Sequence, residues 1–132
     1  MFKEPAKSYD DLVVWQKAHA FVLRVYALSA TFPSREVYGL TSQLRRAAAS
    51  VPSNIAEGFC RRGRAEKARF FNIAEASLAE ASYFLRLGED LGYGSDAALP
   101  AAIDEVSRML SRTSERCASV RRALNALLAP NS

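Results

Sequence analysis

The chain has 132 residues, 49% hydrophobic and 24% charged, with a formal net charge of +4. That length suits one domain able to bury roughly two-thirds of the surface its unfolded chain exposes, and the composition excludes a disordered polypeptide. Cys60 and Cys117 are too few and too far apart for a zinc framework, and no apolar run approaches the roughly 20 residues needed to span a bilayer.

Residues 1–8 contain no apolar stretch of signal-peptide length, so a cytoplasmic protein with reduced thiols and no membrane partner is expected. The domain is expected to occupy residues 1–132, with flexible ends at 1–9 and 130–132. Four helices follow from the spacing of apolar residues. In the first, Val14, Ala18, Phe21, Val25, Leu28 and Phe32 step by four and three, and Trp15, Val22 and Tyr26 widen the stripe. Asp10 or Asp11 is placed to cap its start, and Pro33 stops it. The apolar face is broader than one bundle seam needs.

The second helix carries Leu40, Leu44, Ala47, Ala48, Val51 and Ile55, with Arg45 and Arg46 expected on the opposite, solvent side. Pro52 interrupts it. An interior proline removes an intrahelical hydrogen bond and clashes with the preceding turn, at about 3 kcal/mol. Either the helix kinks, or it breaks and restarts with Asn54 as cap and Glu57 in a capping box. The kinked helix is favoured because the apolar spacing passes through Pro52 in phase. Asn54 and Glu57 then serve to satisfy the backbone groups that Pro52 exposes.

A turn within residues 58–63 leads to a third helix with a stripe of Phe70, Ala74, Ser77, Ala81, Phe84, Gly88 and Leu91, flanked by Phe71, Leu78 and Leu85. Gly92 and Gly94 end it, and Ser95 or Asp96 caps the fourth. There Ile103, Val106, Leu110, Thr113, Cys117, Val120, Leu124 and Leu127 alternate by three and four, with Pro100 in or near the first turn, where proline is tolerated. A period near 3.5 with short connections predicts an all-α, antiparallel up-and-down four-helix bundle, its second helix kinked at Pro52.

The segments Asp11 to Ala18, Tyr38 to Arg46, Ser50 to Gly58, Arg69 to Ala74, Ser77 to Glu80 and Leu91 to Tyr93, with Phe32, Pro33 and Glu36, resemble the four-helix-bundle family of bacterial 23S ribosomal RNA intervening-sequence proteins. The resemblance covers nearly the whole chain up to the fourth helix. It implies a homopentamer without an assigned reaction, and the broad apolar face of the first helix agrees with such burial, so Trp15, His19, Val22 and Tyr26 are the candidates for the interface between subunits. A related branch, the accessory variability proteins of diversity-generating retroelements, comprises basic pentamers that bind reverse transcriptase and its RNA, so RNA or a nucleic-acid-processing protein is the partner that the resemblance implies.

The residues themselves give little support for catalysis. His19 is the only histidine, with nothing to complete a nucleophile and base pair or a metal set, and the paired Glu-x-x-His motifs of di-iron bundles are missing, although Glu75 and Glu80 lie on the third helix. No cofactor is expected. Charge is the stronger signal. Residues 35–69 hold eight Arg or Lys against three Glu, whereas residues 75–90 hold four acids against Arg86. Arg45, Arg46, Arg61, Arg62, Arg64, Lys67 and Arg69 are therefore the candidates for binding nucleic-acid phosphates. The alternatives are a protein adaptor, or a solvated face laced by pairs such as Glu57 with Arg61.

Overall fold

The apolar spacing becomes four long helices in the computed structural model, which describes residues 5–128 with the side chains of 115–125 and 128 outside the description. They are α1 (Val13–Ser29), α2 (Leu40–Cys60), α3 (Arg64–Asp90) and α4 (Leu99–Leu128), and no strand occurs among the described residues. Short connections make successive helices antiparallel. Each packs on the next, and α1 closes the bundle against α4. The ends expected to be flexible at 1–4 and 130–132 lie outside the described residues. Within 5–9, the Lys7 and Ser8 amides donate to Asp11 Oδ2 at 3.0 and 3.2 Å.

The core is built from Ala18, Phe21 and Val25 of α1, Leu44, Ala47, Ala48, Val51 and Ile55 of α2, Phe71, Ala74, Leu78 and Ala81 of α3, and Leu99, Val106 and Leu110 of α4. Each large aliphatic side chain in this set contributes roughly 1.5–3 kcal/mol on burial. Ala47 and Ala48 are fully buried, so the α2 backbone comes close to its neighbours. At Gly58 a Cβ would stand 3.2 Å from Phe70 Cβ and 3.1 Å from the Phe71 ring. A glycine there lets the ends of α2 and α3 approach.

The α2 helix runs through Pro52 without a break, as the in-phase spacing predicts. The expected repair by Asn54 and Glu57 does not occur. Asn54 Nδ2 donates to the Ser50 carbonyl at 2.8 Å and to Ser50 Oγ at 2.9 Å, two positions beyond the Ala48 carbonyl that Pro52 deprives. Ser50 Oγ lies 2.8 Å from Ser77 Oγ, so these groups tie α2 to α3. Glu57 is exposed and pairs with Arg61. Pro52 is itself buried, and core packing on both sides of it holds the helix together.

Other local expectations also shift. Asp10 and Asp11 belong to a 3-10 turn, Tyr9–Asp11, ahead of α1, whose N-cap is Leu12 with no side-chain cap. Phe71 rather than Phe70 enters the core of α3, while Leu91 and Leu127 are exposed. The side chains of Cys117, Val120 and Leu124 lie outside the described residues. The end of α3 follows the glycine expectation: Gly92 has φ +78°, its amide donates to the Glu89 carbonyl, and the Tyr93 amide donates to that of Gly88. Asp96 rather than Ser95 accepts from the first free amides of α4, taking the Ala98 N–H at 2.9 Å.

Candidate functional site

Up-and-down topology sorts the connections to two ends. The α1–α2 and α3–α4 connections share one end, where Tyr93 Oη donates to Glu36 Oε2 at 2.9 Å and Arg24 grips Asp96 through hydrogen bonds of 2.9 and 3.0 Å. Arg24, and then the Ala98 amide, holds the Asp96 carboxyl below its usual range, and the same hydrogen bonding raises the Arg24 guanidinium. The α2–α3 turn occupies the opposite end and carries most of the predicted basic residues.

The structure separates those seven residues. Arg45 is not on the solvent side. It is half-buried, Nε donating to Ser29 Oγ at 2.8 Å and Nη2 to the Tyr26 carbonyl at 3.2 Å, with its guanidinium 4.4 Å from the Tyr26 ring centroid. It secures the last turn of α1 to α2. Arg46 pairs with Glu80 of α3 along the side of the bundle. Lys67 turns back to α2, where its ammonium binds the Phe59 carbonyl at 2.7 Å and that of Gly58 at 3.3 Å. These three side chains are engaged within the protomer.

Arg61, Arg62, Arg64 and Arg69 remain exposed around the turn. Arg61 and Arg69 each meet a carboxylate at 3.5 Å, those of Glu57 and Glu66, in exposed pairs worth at most about 1 kcal/mol. Among the described residues, Arg62 and Arg64 have no ion-pair partner. Both Arg61 and Arg69 also lie over the Phe70 ring, at 4.7 and 5.6 Å from its centroid. Sequence reasoning placed Phe70 in the core stripe and so missed this contact; its immediate neighbour Arg69 and its closeness to Arg61 were the available signals.

The four candidate interface residues also divide. Val22 lies in the protomer's own core, which removes it as an outward-facing contact. Trp15 is half-buried and stacks on the exposed His19 at 4.9 Å, with Tyr9 against its other neighbourhood at 5.1 Å. Tyr26 is exposed beneath Arg45, and Val13 and Leu23 add exposed apolar surface on α1. At the far end Tyr38 is 95% exposed.

Among the described residues no group of three or more His, Cys, Asp or Glu side chains is placed to hold a metal ion, and no helix is long and apolar enough to cross a membrane. Glu75 and Glu80, the carboxylates considered for a bundle metal site, instead accept from Ser114 Oγ and pair with Arg46. Cys60 is an exposed free thiol beside the turn.

No curated protein matches the sequence. The family model of the 23S rRNA-intervening sequence protein matches residues 10–112, which takes in α1, α2, α3 and the first part of α4. The chain therefore belongs to the 23S rRNA-intervening sequence protein family.

Proposed function

We propose that the protein is a non-enzymatic helical scaffold that binds RNA, alone or within a ribonucleoprotein, through the basic end formed by the α2–α3 turn. The observation that carries this reading is the state of Arg62 and Arg64: both are exposed and, among the described residues, without an ion-pair partner. Arg61 and Arg69 flank them in weak, exposed pairs that phosphate can displace. Closely spaced guanidiniums attract phosphates at long range and gain free energy by releasing counterions on contact. Arg45 and Lys67 take no part, because Arg45 is held against Ser29 and Tyr26, and Lys67 against the Phe59 and Gly58 carbonyls, inside the protomer.

The scaffold acts as a homo-oligomer, the homopentamer that the family resemblance implies. Support comes from the apolar side chains that one protomer leaves open on α1, namely Val13, Leu23 and Tyr26. A ring of five copies carries five times +4, or +20, and sums the field of the basic ends. Titration of a fluorescent structured RNA at several salt concentrations tests the reading. Binding that weakens steeply with salt and drops when Arg61, Arg62 and Arg64 become Ala supports it; no binding at low salt rejects it.

A protein adaptor is the second reading, favoured by Val37, Tyr38 and Leu91, which expose apolar surface at the end opposite the arginines. Capture of a protein partner that survives nuclease and is lost in Tyr38→Ser distinguishes it.

A further inference from the structure

Phe70 is half-buried near the start of α3, and two guanidiniums from different elements cover it: Arg61 from the turn and Arg69 from the helix itself. Next to it Lys67 Nζ lies 5.6 Å from the Phe59 ring centroid. Three cation–ring contacts thus gather within the twelve residues from Phe59 to Phe70. Beside Arg69, the outer face of α3 holds a shallow depression of about 390 Å³ lined by Ala65, Ala68, Arg69, Asn72, Ile73 and Ala76. Three of its six lining residues are alanines, and Asn72 adds a polar group.

We infer that this end of the bundle takes single-stranded rather than duplex nucleic acid, with an unpaired base stacked on the Arg61–Phe70–Arg69 group beside the depression that Arg69 also lines. The inference rests on the proposed RNA-binding reading and adds the class of nucleic acid. A duplex keeps its base faces stacked inside the helix and presents phosphates, which exposed arginines alone can hold. An aromatic ring flanked by planar guanidiniums gains contact only when a free base face is offered, since bases stack on both kinds of surface. The carboxylates that hold Arg61 and Arg69 do so at 3.5 Å in exposed pairs, so both guanidiniums can turn toward a base without losing strong bonds. Arg62 and Arg64 then meet the phosphates on either side. Every base has a π-face, so this binding discriminates little between sequences.

Fluorescence anisotropy with a labelled oligouridine and a blunt RNA hairpin of equal charge, its strands joined by a non-nucleotide linker so that no loop base is unpaired, tests this at fixed low salt. The oligouridine is expected to bind at least tenfold more tightly than the hairpin. Phe70→Leu is expected to cost about tenfold for the oligouridine and to leave the hairpin unchanged. Because Phe70→Leu can disturb packing near Gly58, the double change Arg61→Lys with Arg69→Lys serves as the second variant: it keeps both charges, removes the planar groups and is expected to show the same selective loss. Equal affinity for the two RNAs, or equal losses on both, overturns the stacking inference and leaves the basic-end reading standing. Failure of both RNAs to bind overturns both.

Discussion

The Lys67 ammonium lies 2.7 Å from the Phe59 carbonyl oxygen, so α3 supplies a donor to the last turn of α2, whose terminal carbonyls have no helical partners. A positive charge at that position also opposes the negative end of the α2 dipole. Lys67→Met keeps the aliphatic stem and deletes the donor. It is expected to lower stability by about 1.5 kcal/mol in urea unfolding, and an unchanged midpoint would contradict this role.

Arg45 joins two helices in a way lysine does not reproduce. Its guanidinium bonds Ser29 and the Tyr26 carbonyl while lying over the Tyr26 ring. Arg45→Lys keeps the charge and loses the planar fork, so it is expected to destabilise by about 1 kcal/mol, and Arg45→Ala by about 2. Equal stability of Arg45→Lys and the parent in chemical denaturation would show that charge alone suffices.

Gly58 sets two effects against each other. Alanine in a helix interior is favoured over glycine by about 1 kcal/mol, whereas overpacking a close contact costs about 1–3. The new methyl would meet Phe70 Cβ, an atom fixed by the α3 backbone, at 3.2 Å. The steric term is expected to prevail, giving Gly58→Ala a lower melting temperature than the parent. A higher one would mean that the α2–α3 approach relaxes freely.

The Arg24–Asp96 pair predicts a pH dependence. Hydrogen bonds from Arg24, then from the Ala98 amide, depress the Asp96 carboxyl in the folded state. Its contribution is therefore complete above the unfolded carboxylate value near 4 and is lost as pH falls through the lower folded value. The raised Arg24 group titrates only in strong alkali and adds nothing in this window. Asp96→Asn is expected to be less stable than the parent at pH 7, with the gap narrowing below about pH 4. A gap that stays constant down to pH 2.5 would contradict it.

What the sequence disclosed was mostly local. Spacing of three and four, Pro33 after the first helix, Gly92 after the third and Pro100 in the first turn of the fourth each act over a few residues, and the helices begin and end accordingly. What it hid depended on neighbours distant in the chain. Arg45 and Arg46 are adjacent and look equally solvent-directed, yet only Tyr26 and Ser29, from another helix, decide that Arg45 folds inward. Phe70 and Phe71 present the same ambiguity one residue apart. Either could extend the α3 stripe, and the turn arginines over Phe70 show which one the core leaves out. Lys67 reads as one more surface charge until the end of α2 is placed beside it.

The claim that the α2–α3 end binds RNA is tested most directly by comparing two variants with equal loss of charge. Arg62→Ala with Arg64→Ala alters the proposed surface, and Arg35→Ala with Arg86→Ala removes the same charge from the opposite end. In a salt titration with one labelled RNA, the first is expected to weaken binding at least tenfold and to lower the slope of log affinity against log salt by about one per lost phosphate contact. The second is expected to behave as the parent. Equal effects from both variants, or no change in slope for the first, would contradict the account.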